Sequence, residues 1–490
     1  MTVAVPRRSA GAEERLARKS LFSFAGSACS SIAGFVFIVG IARALGDRDA
    51  GIVLQAVGAF MIALGFSRFG MDSAAVWLLP RLAIDQQRSL RPTILMLVAT
   101  AGIAGCVAWA VVAGGNGLIP DGEGGRELQA AIRAVTPFLP IAAMLLTVLA
   151  VSRALGRIRE YVLIGSVGVP VVRLLTVGAA ILWGASLSSV LVAWALPFLL
   201  GLIVMLFVAA RGVRGLFAAG AFRLSEMVPV RQVWGFAVPR VVSAGLEQLL
   251  LWLSVLIVGA VSGPSAAGVY GVASRLVAAG LIVDTTIRIV FAPNFSRMLH
   301  RGERAGVREL HQLATSWLVL FSAPLFVLLA VFAPFGLGLL GDSFAEGAPV
   351  LGIMAVGAII TSLAGNVQTI LLTAGRSGLA AANKAVVVAV NVALIILFTP
   401  RFGIAGAAVA WTIATALDAA LAWAEVRWIL RLPLAAAAGL RGLAVACGAI
   451  ALPAVLARWI LGATGVGLLV ALLVGGVAFG LCGSIAAPWA

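Results

Sequence analysis

The chain has 490 residues, of which 62% are hydrophobic and only 11% charged, and it carries a formal net charge of +16. Its mean hydropathy of +1.11 is more apolar than any water-soluble domain needs, so a soluble fold is excluded as the class. The basic excess would suit a nucleic-acid partner, but its placement along the chain points elsewhere.

Apolar runs of about 20 residues recur along the chain, each long enough to cross a hydrocarbon core of roughly 30 Å as a helix. The alternating segments of about 10 residues that mark a membrane β-barrel are absent. The expected class is therefore an all-α integral membrane protein with about fourteen transmembrane helices. The opening, MTVAVPRRSAGAEERLARKS, is polar for longer than the basic region of a signal peptide, and no small-residue cleavage site follows the first apolar run. It reads as a retained cytoplasmic tail over residues 1–20. The spans then fall near 21–43, 51–79, 92–113, 129–152, 161–184, 188–210, 234–261, 267–294, 311–334, 347–373, 380–399, 403–428, 439–461 and 465–487. This predicts an N-terminal six-helix lobe over 21–210, a cytoplasmic linker over 211–233, a C-terminal six-helix lobe over 234–428 and two additional helices over 429–490. An even number of spans puts both termini on one side.

Basic residues collect in every second connection: the tail, then Arg81, Arg88 and Arg91, then Arg153, Arg157 and Arg159. The pattern continues through Arg211 to Arg231, Arg297 to Arg308, Arg376 and Lys384, and Arg427 to Arg441. The intervening connections hold Arg43, Arg48, Arg126, Arg133, Arg401 and Arg458, so about two dozen basic residues lie on one side and about six on the other. That asymmetry predicts a multi-pass protein of the cytoplasmic membrane with both termini cytoplasmic, and assigns the charge to lipid headgroups, with no nucleic-acid partner.

Cys29, Cys106, Cys447 and Cys482 lie unpaired in apolar runs, and His300 and His311 are eleven positions apart. Neither pattern suits a disulfide framework or a metal site. No phosphate-cradling glycine loop is present. No metal, cofactor or catalytic residue is expected, and the chain reads as a non-enzyme.

Ionisable residues inside spans are informative, because each costs roughly 2.5–3.5 kcal/mol to insert and usually faces protein or water. The stretch Val233 to Met298 holds Arg240 and Glu247 in the seventh span and Arg275, Asp284 and Arg288 in the eighth. Arg68 and Asp72 in the second span are i, i+4 neighbours, as are Asp284 and Arg288, so each pair can neutralise itself. Arg275 and Asp284 lie roughly 180° apart on a straight helix and share a cavity only if that helix kinks. Arg173 in the fifth span has no acid within its own helix. In the twelfth, Asp418 and Glu425 share a face.

The first six spans laid over the next six show a repeat. LGDRDAG, with Gly46 and Gly51, aligns with VSGPSAAG, with Gly263 and Gly268, and the VAW at Val192 aligns with the VAW at Val409, both at an offset of about 217 residues. Two halves of the same orientation imply a substrate site at their interface near the midplane.

ARALGDRDAGIVLQAVGAF, GPSAAGVYGVASRLVAAG, FAPNFSRM, LLGDSFAEGAPVLGIMAVGAI and FGIAGAAVAWTIAT, in this order, give the chain its resemblance to a known family. It resembles the oligosaccharide/polysaccharide flippase family of the multidrug/oligosaccharidyl-lipid/polysaccharide exporter superfamily. The resemblance implies two parallel lobes and alternating-access transport of a lipid-linked oligosaccharide from the inner to the outer leaflet, in bacterial polysaccharide synthesis. Glycosyltransferases and a polymerase are the implied partners. Lipid II flippases of the superfamily hold a sodium ion between spans seven, eleven and twelve. Glu247, Asn391, Thr412, Thr415 and Asp418 are thus the ion-coupling candidates, whether the drive is sodium, protons or membrane potential. Relatives often carry an Asp late in span seven, where this chain has Leu253 and Ser254, so Glu247 would have to replace it.

A polyprenyl diphosphate carries two anionic phosphates, and its carrier needs cationic groups in a wet cavity. Arg68, Arg240 and Arg275 are the substrate-binding candidates, with Arg43 at the outer end of span one as a secondary one. Alternative functions are a lipid II flippase, a multidrug antiporter, and a membrane glycosyltransferase or polymerase, for which the short connection around Asp47 and Asp49 offers little room.

Overall fold

A computed structural model describes residues 10–85, 87–119, 124–212, 228–374, 376–432 and 437–485. Residues 1–9 of the expected tail and 213–227 of the expected linker lie outside the described residues. Every regular element described is helical: α1 (Ala10–Ser67), α2 (Met71–Asp85), α3 (Gln87–Gly115), α4 (Gly125–Val135), α5 (Leu139–Ala154), α6 (Val169–Leu182) and α7 (Leu187–Gly212). There follow α8 (Val230–Gly280), α9 (Ile282–His300), α10 (Arg304–Val331), α11 (Ala348–Ala364), α12 (Val367–Thr373), α13 (Ser377–Trp428), α14 (Ala437–Ala446), α15 (Leu452–Leu461) and α16 (Gly465–Ile485). Helices suit a lipid-spanning chain, since each satisfies its own backbone where no water is present.

Among the described residues, ten helical stretches are long and apolar enough to cross a membrane. Three of them, Ala25–Ala83, Val230–Gly280 and Gly378–Trp428, run for 59, 51 and 51 residues, more than twice the length a single crossing requires. Each contains a glycine with positive φ inside its helix, Gly46 (φ 76°, ψ 178°), Gly263 (φ 89°, ψ 172°) and Gly403 (φ 57°, ψ −144°), and the first has a second break at Phe69 (φ 47°) and Gly70 (φ 64°) between α1 and α2. A side chain at such a φ is strained, and glycine removes that cost where the chain turns back. Gly46 and Gly263, aligned by the sequence repeat, thus share nearly one conformation.

Two finer departures from uniform spans are visible. The expected tenth span is broken between α11 and α12, where Gly365 takes φ 71°. The eighth is interrupted at Leu281, between Arg275 on α8 and Asp284 on α9, so the straight-helix geometry that separates these two residues does not apply.

By contacts the chain forms two compact units. The first comprises residues 1–40 and 59–245, the second 41–58 and 246–490. In the first, Phe60, Trp194 and Phe198 form a buried aromatic centre, with ring centroids 5.4–5.8 Å apart. In the second, Phe291, Phe295, Leu318, Ile370 and Val426 belong to one apolar core joining α9, α10, α12 and α13.

The second unit also contains the meeting of the repeated turns. A Cβ on Gly51 would lie 1.9 Å from the Pro264 carbonyl oxygen, and one on Gly268 would lie 2.0 Å from the Asp47 carbonyl oxygen. Asp47 and Pro264, like Gly51 and Gly268, are 217 residues apart. The contact is therefore reciprocal, as local two-fold symmetry between the repeats requires.

Candidate functional site

In the first unit, Arg173 on α6 is half-buried beside α7. Its Nε donates to the Trp194 carbonyl oxygen at 3.0 Å, and its guanidinium carbon lies 4.3 Å from the Trp194 ring centroid and 4.9 Å from that of Phe198. Thr176, one turn on, ties the same helices through its hydroxyl to the Ala193 carbonyl oxygen at 2.7 Å. The missing partner of Arg173 is thus an aromatic face and a carbonyl, not an acid.

The second unit holds an equivalent arrangement around Arg275. Its guanidinium carbon sits 3.6 Å from the centroid of the Trp252 ring, and Nη2 donates to the Leu251 carbonyl oxygen at 2.9 Å. Its Nε is buried without a hydrogen-bond partner among the described residues. Trp252 in turn lies against Gly58, where a Cβ would come within 3.1 Å of the ring. The Ser254 hydroxyl accepts from Asn391 Nδ2 at 3.4 Å, and Tyr270 is fully buried. Ser254, Tyr270, Arg275, Met354 and Trp411 line a cavity of about 40 Å³. That volume admits a water molecule or so, not a diphosphate.

Of the other substrate-binding candidates, Arg68 and Arg240 belong to the first unit and Arg43 to the second. Arg68 Nη1 pairs with Asp72 Oδ2 at 3.0 Å across one helical turn, as the spacing predicts, and Asp284 Oδ2 pairs with Arg288 Nε at 2.7 Å in the same way. Arg240 is exposed on α8. Arg43 donates from Nε to the Leu339 carbonyl oxygen at 2.8 Å within the second unit.

Four of the five ion-coupling candidates have hydrogen-bond partners of their own. Glu247 is exposed. Asn391 reaches Ser254, Thr412 donates to the Ile353 carbonyl oxygen at 3.1 Å, and Thr415 donates to Trp411 and Thr412 carbonyls of its own helix. Asp418 Oδ2 accepts from Lys384 Nζ at 2.6 Å and from Gln368 Nε2, while Asn383 Nδ2 donates to Glu425 Oε2 at 2.8 Å. Lys384, expected in a cytoplasmic connection, therefore turns onto a carboxylate of the facing half of α13. Trp252, Tyr270, Gln368 and Lys384 were not among the sequence candidates. The one signal that singles out Lys384 is rarity, since it and Lys19 are the only lysines among 35 basic residues.

Solved structures with this fold are membrane transporters. A lipid II flippase in an inward-closed conformation superposes with a TM-score of 0.69 at 13% identity, covering 95% of this chain and 98% of its own. An inward-facing multidrug resistance transporter of the MATE family gives 0.66 at 13% identity, with 81% and 94% covered. A transporter of the same superfamily from Pyrococcus furiosus, described as having a binding pocket of reversed polarity, gives 0.61 at 12% identity, with 85% and 94% covered. The chain thus shares the fold of these transporters, and its many long apolar helices make it a multi-pass membrane protein. By sequence, the chain belongs to the polysaccharide biosynthesis protein family, whose sequence profile matches residues 16–299. No curated protein sequence matches it.

Proposed function

We propose that this protein is a flippase that carries a polyprenyl-diphosphate-linked oligosaccharide from the inner to the outer leaflet of the cytoplasmic membrane by alternating access. Family membership supports the polysaccharide assignment, and the observation that carries the chemistry is Arg275. A half-buried guanidinium whose Nε is buried, with an aromatic seat, one carbonyl and no carboxylate partner among the described residues, is matched by an incoming anion. In the low dielectric of a span such a match to phosphate is stronger than in water. The small cavity beside it implies that Trp411 and Met354 part from α8 when substrate enters. Arg68 and Arg240 in the first unit and Arg43 in the second remain the further cationic candidates of this reading.

The three long stretches folded back at Gly46, Gly263 and Gly403 support fourteen crossings with both termini cytoplasmic. Glycosyltransferases that build the glycolipid and a polymerase that consumes it are the implied neighbours in synthesis. The likeness to a lipid II flippase keeps that substrate as the second candidate, and the likeness to multidrug transporters keeps a third.

Vesicles loaded with a fluorescent polyprenyl-diphosphate oligosaccharide, scored by lectin access from the opposite face, test the assignment. Arg275→Ala is expected to reduce transport at least about tenfold at normal protein abundance, with Arg275→Lys recovering part of it, because an ammonium lacks the bidentate fork. Transport of lipid II or of a drug by the wild type, with none of the glycolipid, would replace the substrate class. Normal glycolipid transport by Arg275→Ala would move the site elsewhere.

A further inference from the structure

We propose that the Lys384 ammonium is a tethered cation for Asp418, taking the place that a free monovalent ion would occupy, so that the second unit functions without bound sodium. Asp418 lies within the long apolar stretch Gly378–Trp428, where an ionised carboxylate requires a counter-charge. The structure supplies it from the same helix, 34 residues back and beyond the turn at Gly403: Nζ stands 2.6 Å from Oδ2, with the two side chains 22% and 13% exposed. Gln368 of α12 turns its amide onto the same oxygen, which leaves Oδ1 buried and without a partner among the described residues.

The choice of residue sharpens the argument. Of 35 basic residues, all but Lys19 and Lys384 are arginines, so a compact ammonium stands here in a chain that otherwise uses guanidinium. A guanidinium favours both carboxylate oxygens at once, whereas an ammonium is a point charge that can rest on one. The pairing here is one-sided, as a small inorganic cation's would be. The hydroxyls of Thr412 and Thr415 donate to backbone carbonyls and the Asn391 amide nitrogen to Ser254, and none of the three is hydrogen-bonded to Asp418 among the described residues.

The site does not depend on which lipid or drug is carried, and its test reads stability, so its failure leaves the glycolipid assignment untouched. Purified full-length protein in detergent is melted at constant ionic strength in sodium, potassium or choline chloride. The wild type is expected to melt at one temperature in all three. Lys384→Met, which keeps the length of the stem and removes the charge, is expected to lose stability in choline and to recover it saturably with sodium or with methylammonium, an untethered copy of the lost head group. The shift at saturation should be about 2 °C or more, and adding Asp418→Asn should abolish it. Sodium-specific stabilisation of the wild type overturns the proposal whether or not the variant folds. A folded Lys384→Met that is indifferent to every small cation overturns it as well.

Discussion

Replacing Gly51 by alanine places one carbon where the second unit has no room for it. Gly51 sits in regular helix, so alanine itself fits the backbone, and the whole effect comes from the new Cβ, 1.9 Å from the Pro264 carbonyl oxygen and 2.8 Å from the Gly268 nitrogen. Restoring even 3.0 Å to the oxygen requires the two turns to separate by about 1.1 Å. Both obstacles are backbone atoms, which have no rotamer to yield, so the cost belongs at the upper end of the 1–3 kcal/mol typical of overpacking, about 3 kcal/mol. Gly268→Ala meets the Asp47 carbonyl oxygen at 2.0 Å and should cost about the same. Because one separation relieves both clashes, the double variant should cost well under the roughly 6 kcal/mol expected from independent sites. Thermal unfolding in detergent, followed by tryptophan emission, measures this, and Gly352→Ala, with open space around its Cβ, is the control expected to melt like the wild type. If Gly51→Ala melts with the control, or the two substitutions add in full, the reciprocal contact is wrong.

Arg173→Met should cost about 2–4 kcal/mol in the same assay, because it removes both the stacking on Trp194 and a charged hydrogen bond to a carbonyl; Arg173→Lys should recover less than half. Arg68→Ala should destabilise by about 1 kcal/mol, and combining it with Asp72→Asn should cost no more than the single change, since the pair is only partly buried; a double-mutant cycle reads the coupling directly. Reporter fusions after Arg91, Arg231 and Arg308 should report cytoplasm and those after Gly263 and Asp342 the outside, so that one clear inversion overturns the fourteen-crossing topology.

Spans, turns and i, i+4 pairs were legible because they depend on near neighbours in sequence. Length and apolarity mark a crossing, a glycine marks the turn at Gly46 or Gly263, and one helical turn joins Arg68 to Asp72. The repeat was legible for the same reason, as like residues at one offset. Partners across helices were not. Arg173 finds a carbonyl on α7, and Lys384 finds Asp418 after a reversal of the chain, by rotations of one helix against another that no local pattern encodes. The break at Gly365 was likewise hidden, since an apolar run of the right length gives no sign of an interruption inside it.

Residues 41–58 belong by their contacts to the unit otherwise built from 246–490. For a chain made from its N-terminus at about 5–20 residues per second, the rest of that unit begins to emerge roughly 10–40 s after residue 58. During that interval the Gly51 face, shaped to meet the Pro264 backbone without a side chain between them, has no partner in its own chain and must be kept by lipid or by the insertion machinery. A gene cut near residue 245 would therefore yield two fragments of which the second lacks a helical hairpin of its own core. Co-expression of the halves, not either one alone, is the arrangement in which biosynthesis could complete it.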